Sequence, residues 1–239
     1  MGYQDTLNIK DKDLDRDIFR IMPIHRLLEM FQTKLLTLVP PIKWDDPFEN
    51  LLLNGTAKTS DGEVADFGSI RDSVYGQCWT LHKETDAMWR IYSADKQGAK
   101  VKTTIRKLLK ALQQQSGDFA QVHCFIGEVE YHTQKDLIKK LKNIDVLNTS
   151  GSGVAESLIY KREEFKHERE VRLIYTDGSG PVHQFEIDPC DLFDEIVFDP
   201  RINEHLFEAY KAALKNKGYS NSIRQSVMYQ PPKGLQISI

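Results

Sequence analysis

The chain has 239 residues, 40% hydrophobic and 28% charged, with a mean hydropathy of −0.47, the profile of one ordinary soluble domain with a sizeable core. Eleven Phe, nine Tyr and three Trp exclude disorder as the main state, and 32 basic against 35 acidic side chains, a formal charge of −3, speak against nonspecific coating of polyanions. No apolar run approaches the roughly 20 residues that span a bilayer, and the N-terminus has neither a basic start nor an apolar stretch, so a cytoplasmic protein with no membrane partner is expected.

In chain order, Ile18 to Met22 is β-prone and feeds a helix whose stripe is Ile24, Leu27, Leu28 and Phe31. Leu35 to Val39 reads as a strand stopped by Pro40 and Pro41, and Lys43 to Glu49 as a turn. Gly76 to Leu81 is a strand candidate, and Thr85 can cap a helix carrying Met88, Ile91 and Tyr92, with Gly98 as its terminator. Lys100 to Lys102 suits a brief strand; Ile105, Leu108, Leu109 and Leu112 then repeat the helical spacing. Cys124 to His132 alternates as one extended segment, and Asp136 to Lys142 is helical.

Short strands follow at Glu170 to Tyr175, Val182 to Ile187, Glu195 to Phe198 and Ile223 to Met228. One helix interrupts them, capped by Asn203, with Leu206, Phe207, Tyr210, Ala213 and Leu214 as its buried face and Gly218 at its end. Breaker-rich stretches at Asn54 to Gly68, Asn148 to Gly153, Thr176 to Pro181 and from Pro231 read as loops. A helical early half and a strand-rich later half predict a single α+β domain over residues 1–239, with mixed or antiparallel sheets and helices packed around them.

Cys78, Cys124 and Cys190 are odd in number and widely spaced, so they read as buried small hydrophobes rather than disulfides or a zinc site. No P-loop, dinucleotide-binding glycine fingerprint or nucleophile elbow is present. The most unusual pattern is Glu168, Glu170 and Arg172 alternating with Arg169, Val171 and Leu173. On an extended strand, residues two apart share a face, so two carboxylates and a guanidinium would project together. Such a pair can divide the work of holding a substrate hydroxyl and activating a nucleophile. A solvated strand face of self-neutralising charges would give the same pattern.

Other segments add weight: Phe19-Arg20-Ile21, Asp45-Asp46-Pro47-Phe48-Glu49, Cys78-Trp79-Thr80, Met88-Trp89-Arg90-Ile91-Tyr92 with Gly98, and Lys161, Phe165, Glu168, Glu170 and Arg172. In this order, over residues 18–198, the chain resembles a bacterial family of unknown function, DUF2971, with residues 199–239 adding a last helix and strand. Here Asp45 stands where the family has Asn, Trp79 and Thr80 where it has Phe and Ser, and Phe165 where it has Trp. More distantly, the order Arg, Ser/Thr, Glu-x-Glu is similar to ADP-ribosyltransferases, which implies that fold and NAD as substrate. The resemblance places Arg20 on the NAD phosphates or ribose, Thr80 in the nicotinamide pocket and Trp89 or Tyr92 in a stack on nicotinamide, with Arg172 among the binding residues. It makes Glu170 the residue that holds the ribose hydroxyl and stabilises the developing cation, and Glu168 the one that orients or deprotonates the acceptor.

Three function classes stay open. The first is an NAD-dependent ADP-ribosyltransferase or NAD glycohydrolase, a toxin or anti-phage effector, with a protein, a nucleic acid or water as acceptor. The second is a non-catalytic module in which Trp44, Trp79, Trp89 and Tyr92 line a groove for a nucleotide, nucleic acid or peptide. The third is a metal-dependent nuclease using Asp45, Asp46, Glu168 and Glu170, although no metal is expected, because Asp before Pro starts turns and Glu49 can cap locally.

Overall fold

The computed structural model describes residues 5–58, 61–146, 148, 150–232 and 234. Strands β1 (Thr6–Leu7) and β2 (Asp17–Pro23) precede helix α1 (Ile24–Thr33) and β3 (Leu35–Leu38). A hairpin of β4 (Thr56–Lys58) and β5 (Val64–Asp66) and the short α2 (Gly68–Asp72) lead into β6 (Tyr75–Thr80) and α3 (Asp86–Tyr92). Then come β7 (Gly98–Thr104), α4 (Ile105–Gln113), α5 (Ala120–His123), β8 (Cys124–Glu128), β9 (Glu130–His132), α6 (Gln134–Leu141) and α7 (Ser152–Ser157). The later part holds β10 (Tyr160–Arg162), β11 (Glu170–Tyr175), β12 (His183–Glu186), α8 (Pro189–Leu192), β13 (Glu195–Phe198), α9 (Glu204–Asn216) and β14 (Ser222–Gln225).

Eight of these strands form one mixed sheet in the order β1-β8-β11-β6-β2-β7-β13-β14, parallel at the two outer pairs and antiparallel between them. The α+β class expected from the sequence is therefore the one observed. Helices α1 and α4 bury their apolar stripes against this sheet: Leu27, Phe31, Leu108 and Leu112 join Val101, Leu173 and Ile196 in one cluster. Thr104 starts α4 by accepting from the Lys107 N–H, so the charged side chains of that helix face out and its leucines face in. Among the described residues no helix is long and apolar enough to cross a membrane.

The sheet parts at its centre. Strand β2 pairs with β7 along all seven of its residues, but with β6 only at Phe19 opposite Thr80. Four residues away, Gly76 of β6 exchanges both backbone hydrogen bonds with Val39, just past β3, at 2.8 and 3.1 Å. Backbone polar groups need partners, and here the partner strand changes partway along β6, so β2 and β6 diverge and leave a cleft between them.

The structure departs from the local sequence expectation in several places. Gly98 does not end α3 but opens β7: its N–H donates to Ser93 Oγ at 2.8 Å, and an added Cβ would lie 2.5 Å from Ser93 Cβ. The extended run from Cys124 breaks at Val129, whose N–H turns to Glu170 O, and β9 pairs with β10 instead of continuing the large sheet. The stretch 54–68 contains the β4–β5 hairpin, α7 follows from Ser152, and Leu206 is 40% exposed instead of buried. Residues 59, 60, 149, 233 and 235–239 of the expected loops lie outside the described residues.

Candidate functional site

The Glu-x-Glu segment is not a single strand face. Glu168 closes a 3-10 turn (Glu163–Glu168), Arg169 takes a left-handed conformation with φ 44°, and only Glu170 enters β11. A non-glycine residue persists there only when its surroundings fix it. They do so from both sides: Arg169 O accepts from Leu81 N–H at 2.9 Å, Glu168 O accepts from Thr80 Oγ1 at 2.6 Å, and Glu170 N–H donates to the Tyr131 hydroxyl at 2.9 Å.

The kink delivers both carboxylates to one cation. Lys161 Nζ lies 2.6 Å from Glu168 Oε2, 2.5 Å from Glu170 Oε1 and 2.8 Å from Glu49 Oε1. Behind them, Arg172 Nε donates to Glu170 Oε2 at 2.8 Å, Nη2 lies 3.0 Å from Glu49 Oε2, and Nη1 donates to Leu158 O at 2.7 Å. Glu170 is 4% exposed and Arg172 fully buried, which overturns the solvated-face alternative.

Two cations thus meet three carboxylates, and Glu168 is left holding the surplus. Burial and the hydrogen bond with Glu170 outweigh Lys161 and push its carboxyl up to about 7. Burial would raise Glu170 as well, but the Arg172 charge, the bond from Glu168 and Lys161 together hold it well below the usual carboxylate range. Glu170 is therefore a fixed anion, and Glu168 is a group able to exchange a proton near neutral pH.

This cluster forms one wall of the central cleft, which encloses about 590 Å³, a size suited to a small-molecule ligand. Arg20 from β2, Cys78 and Thr80 from β6, Tyr92 from α3, and Glu168 and Glu170 all border it. Arg20 makes no hydrogen bond or ion pair among the described residues; burial lowers its guanidinium only to about 10, so it remains a cation without a counterion. Cys78, beside it, is pushed upward by burial and by the Glu170 charge, and stays a thiol. Thr80 spends its one donor on Glu168 O and accepts from His82 N–H, so its first role here is to hold the glutamate turn.

Two binding residues expected from the sequence lie elsewhere. Trp89 is fully buried, packs with Ile21, Met88 and Val197, and donates Nε1 to Glu84 Oε1 at 2.7 Å, because the space between α3 and the sheet needs a large ring whose N–H is satisfied. Tyr92 alone of that pair borders the cleft, 44% exposed. Arg172 does not border the cleft either but supports Glu170 and Glu49 from behind.

Of the three carboxylates in the Asp45 to Glu49 turn, Asp45 borders the cleft, while Asp46 and Glu49 hold the turn to its neighbours. Asp46 accepts from Phe48 N–H and pairs with Arg162 at 3.0 Å, while Glu49 is shared by Lys161 and Arg172. Among the described residues no group of His, Cys, Asp and Glu is disposed to hold a metal ion. The residues that reading for chemistry passed over are Lys161 and Glu49. Both stood inside the family segments, and the signal for Lys161 was a lysine two residues ahead of a run carrying Glu163, Glu164, Glu168 and Glu170.

Residues 88–173 match the family described as "Protein of unknown function (DUF2971)", within the stretch that carried the resemblance. Solved structures with a similar chain course include "Thermus sp. 2.9 DarT in complex with NAD+", at 12% identity and TM-score 0.42, covering 89% of this chain and 96% of that one. The same protein "in complex with ADP-ribosylated ssDNA" is 12% identical, with TM-score 0.40 over 88% of this chain and 93% of that one. No curated protein matches the sequence.

Proposed function

We propose that the chain is an NAD-dependent enzyme of the ADP-ribosyltransferase type, acting by transfer or by NAD glycohydrolysis. The observation that carries this reading is the convergence in one cleft of a half-buried, unpaired Arg20 with a fixed anion, Glu170, and a titratable partner, Glu168. An uncompensated guanidinium in a cleft calls for an anionic ligand, and its planar fork suits the pyrophosphate of a dinucleotide.

Glu170 then sits where positive charge develops on the ribose as the bond from its anomeric carbon to the nicotinamide nitrogen breaks, the electron pair leaving with nicotinamide. The acceptor oxygen or nitrogen forms the new bond to that carbon, and its proton passes to Glu168. Tyr92 offers a ring to nicotinamide, and Thr80 keeps Glu168 in place through its backbone. The acceptor is a protein or nucleic acid in transfer and water in glycohydrolysis. A role as a cytoplasmic toxin or anti-phage effector is tested by growth arrest on expression that Glu170→Gln relieves.

The binding half of the reading is tested by calorimetry with NAD. Arg20→Ala should weaken binding by about 10- to 100-fold, the worth of a charge-assisted hydrogen bond, and inorganic pyrophosphate should compete with NAD in the wild type. An unchanged affinity in Arg20→Ala contradicts it. One observation favours a second reading, a nucleotide-recognition module without turnover: both Glu170 oxygens are already engaged, by Lys161 and Arg172. Tight binding of NAD with no nicotinamide release would select it.

A further inference from the structure

The cleft runs along β6 from Gly76 to Thr80, four residues or about 13 Å of extended chain. Tyr92 stands toward the Thr80 end, close enough to feel the charges of Glu168 and Glu170. Trp44 stands toward the other end, where an added Cβ on Gly76 would lie 2.6 Å from its Cζ2. Trp44 follows a 3-10 turn (Pro41–Lys43), is half-buried and borders the cleft, and the Arg172 guanidinium lies 4.5 Å from its ring centre. The ring is thus held in position before any ligand arrives.

Three other aromatic side chains at the cleft are already occupied. Phe19 is 4% exposed with Lys100 over its ring, Phe165 carries both Lys161 and Arg162, and Trp79 is 2% exposed with its N–H given to Gln77. Tyr92 and Trp44, the latter with Arg172 over one face of its ring, stand near the two ends of β6, with the unpaired Arg20 cation on the same cleft.

We propose that Trp44 is the stacking surface for the distal purine ring of the dinucleotide, which lies along β6 with its nicotinamide end at Tyr92 and Glu170 and its pyrophosphate at Arg20. This rests on the NAD reading and assigns the opposite end of the same ligand. Gly76 is the residue that gives Trp44 its seat, and Arg172 links that seat to Glu170, so the base-binding and charge-bearing ends share one support.

Fluorescence titration of the full chain tests the assignment, because Trp79 and Trp89 are both buried and Trp44 alone of the three tryptophans is partly exposed. ADP-ribose and AMP should quench the emission, and nicotinamide mononucleotide should bind without doing so. Trp44→Phe should remove the quench and keep binding within a few-fold, whereas Trp44→Ala should weaken ADP-ribose tenfold or more and leave nicotinamide mononucleotide unchanged. Gly76→Ala, which displaces the ring while keeping it, should weaken ADP-ribose in the same direction. The assignment alone is overturned if NAD binds but ADP-ribose affinity is unaltered in Trp44→Ala and Gly76→Ala, or if nicotinamide mononucleotide quenches and AMP does not. Failure of the wild type to bind NAD, ADP-ribose and nicotinamide mononucleotide overturns it together with the NAD reading.

Discussion

Lys161 decides the character of the site. It is 6% exposed and holds three carboxylates at once, so removing it leaves buried negative charges facing only Arg172. Lys161→Met should cost about 3–5 kcal/mol of stability, the usual penalty for breaking a buried ion pair from one side, and urea unfolding measures it. Glu168 governs the pH response. With its carboxyl near 7 and, in the proposed reaction, the deprotonated form acting as base, turnover should rise with pH through about 7, and Glu168→Gln should lower the rate and flatten that limb. Initial rates between pH 5 and 9 check this.

The cleft-lining side chains of Glu168, Glu170, Arg20, Thr80 and Tyr92 were legible as candidate residue types in order, because a carboxylate pair, an arginine and an aromatic have few substitutes. Their geometry was not. The alternation around Glu170 suggested a strand face, whereas the left-handed Arg169 and the attraction of Lys161 set the arrangement. Trp89 was misplaced because an indole serves a core and a ligand equally well, and only packing against Ile21 and Val197 separates the two.

Among the elements, those with strong periodicity were readable: α1, α4 and α9 all lie where their apolar spacing puts them, and Thr85 and Asn203 cap the helices expected of them. The β6 and β11 strands were readable too, yet their neighbours were not, since pairing across the sheet depends on contacts distant in sequence. Nothing local reveals that β2 meets β6 at one residue pair, and that divergence creates the cleft. Helix α3, which carries Tyr92, is held at its start by Thr85 Oγ1, 3.2 Å from Met88 N, and by Tyr229 and Ser226 from the segment after β14, bonded to Asp86 and Glu84. Thr85→Ala should destabilise the protein by about 1 kcal/mol, seen as a lower midpoint in urea with an unchanged slope.

For the whole molecule, the buried carboxylates set the behaviour in acid. Glu170 is held low against its burial by Arg172, Glu168 and Lys161, and Asp199 by Arg201 and Ser93. Their folded-state values lie below those of the unfolded chain, so their stabilisation is present in full above the ordinary carboxylate range and is lost as pH falls through and below it. Melting temperature should therefore drop on acidification below about pH 4.5, the ordinary value for a glutamate, and thermal melts from pH 3 to 7 follow it.

In the proposed function, the split sheet builds a site for NAD chemistry with Glu170 as its fixed anion. The most direct measurement is nicotinamide release from NAD by the purified wild-type chain and by Glu170→Gln, with and without cell extract as a source of acceptors. Release by wild type is expected, with a fall of at least a hundredfold in Glu170→Gln, the scale on which removing one group that stabilises transition-state charge acts. No release by folded wild type under any condition, or equal release by the variant, would contradict it.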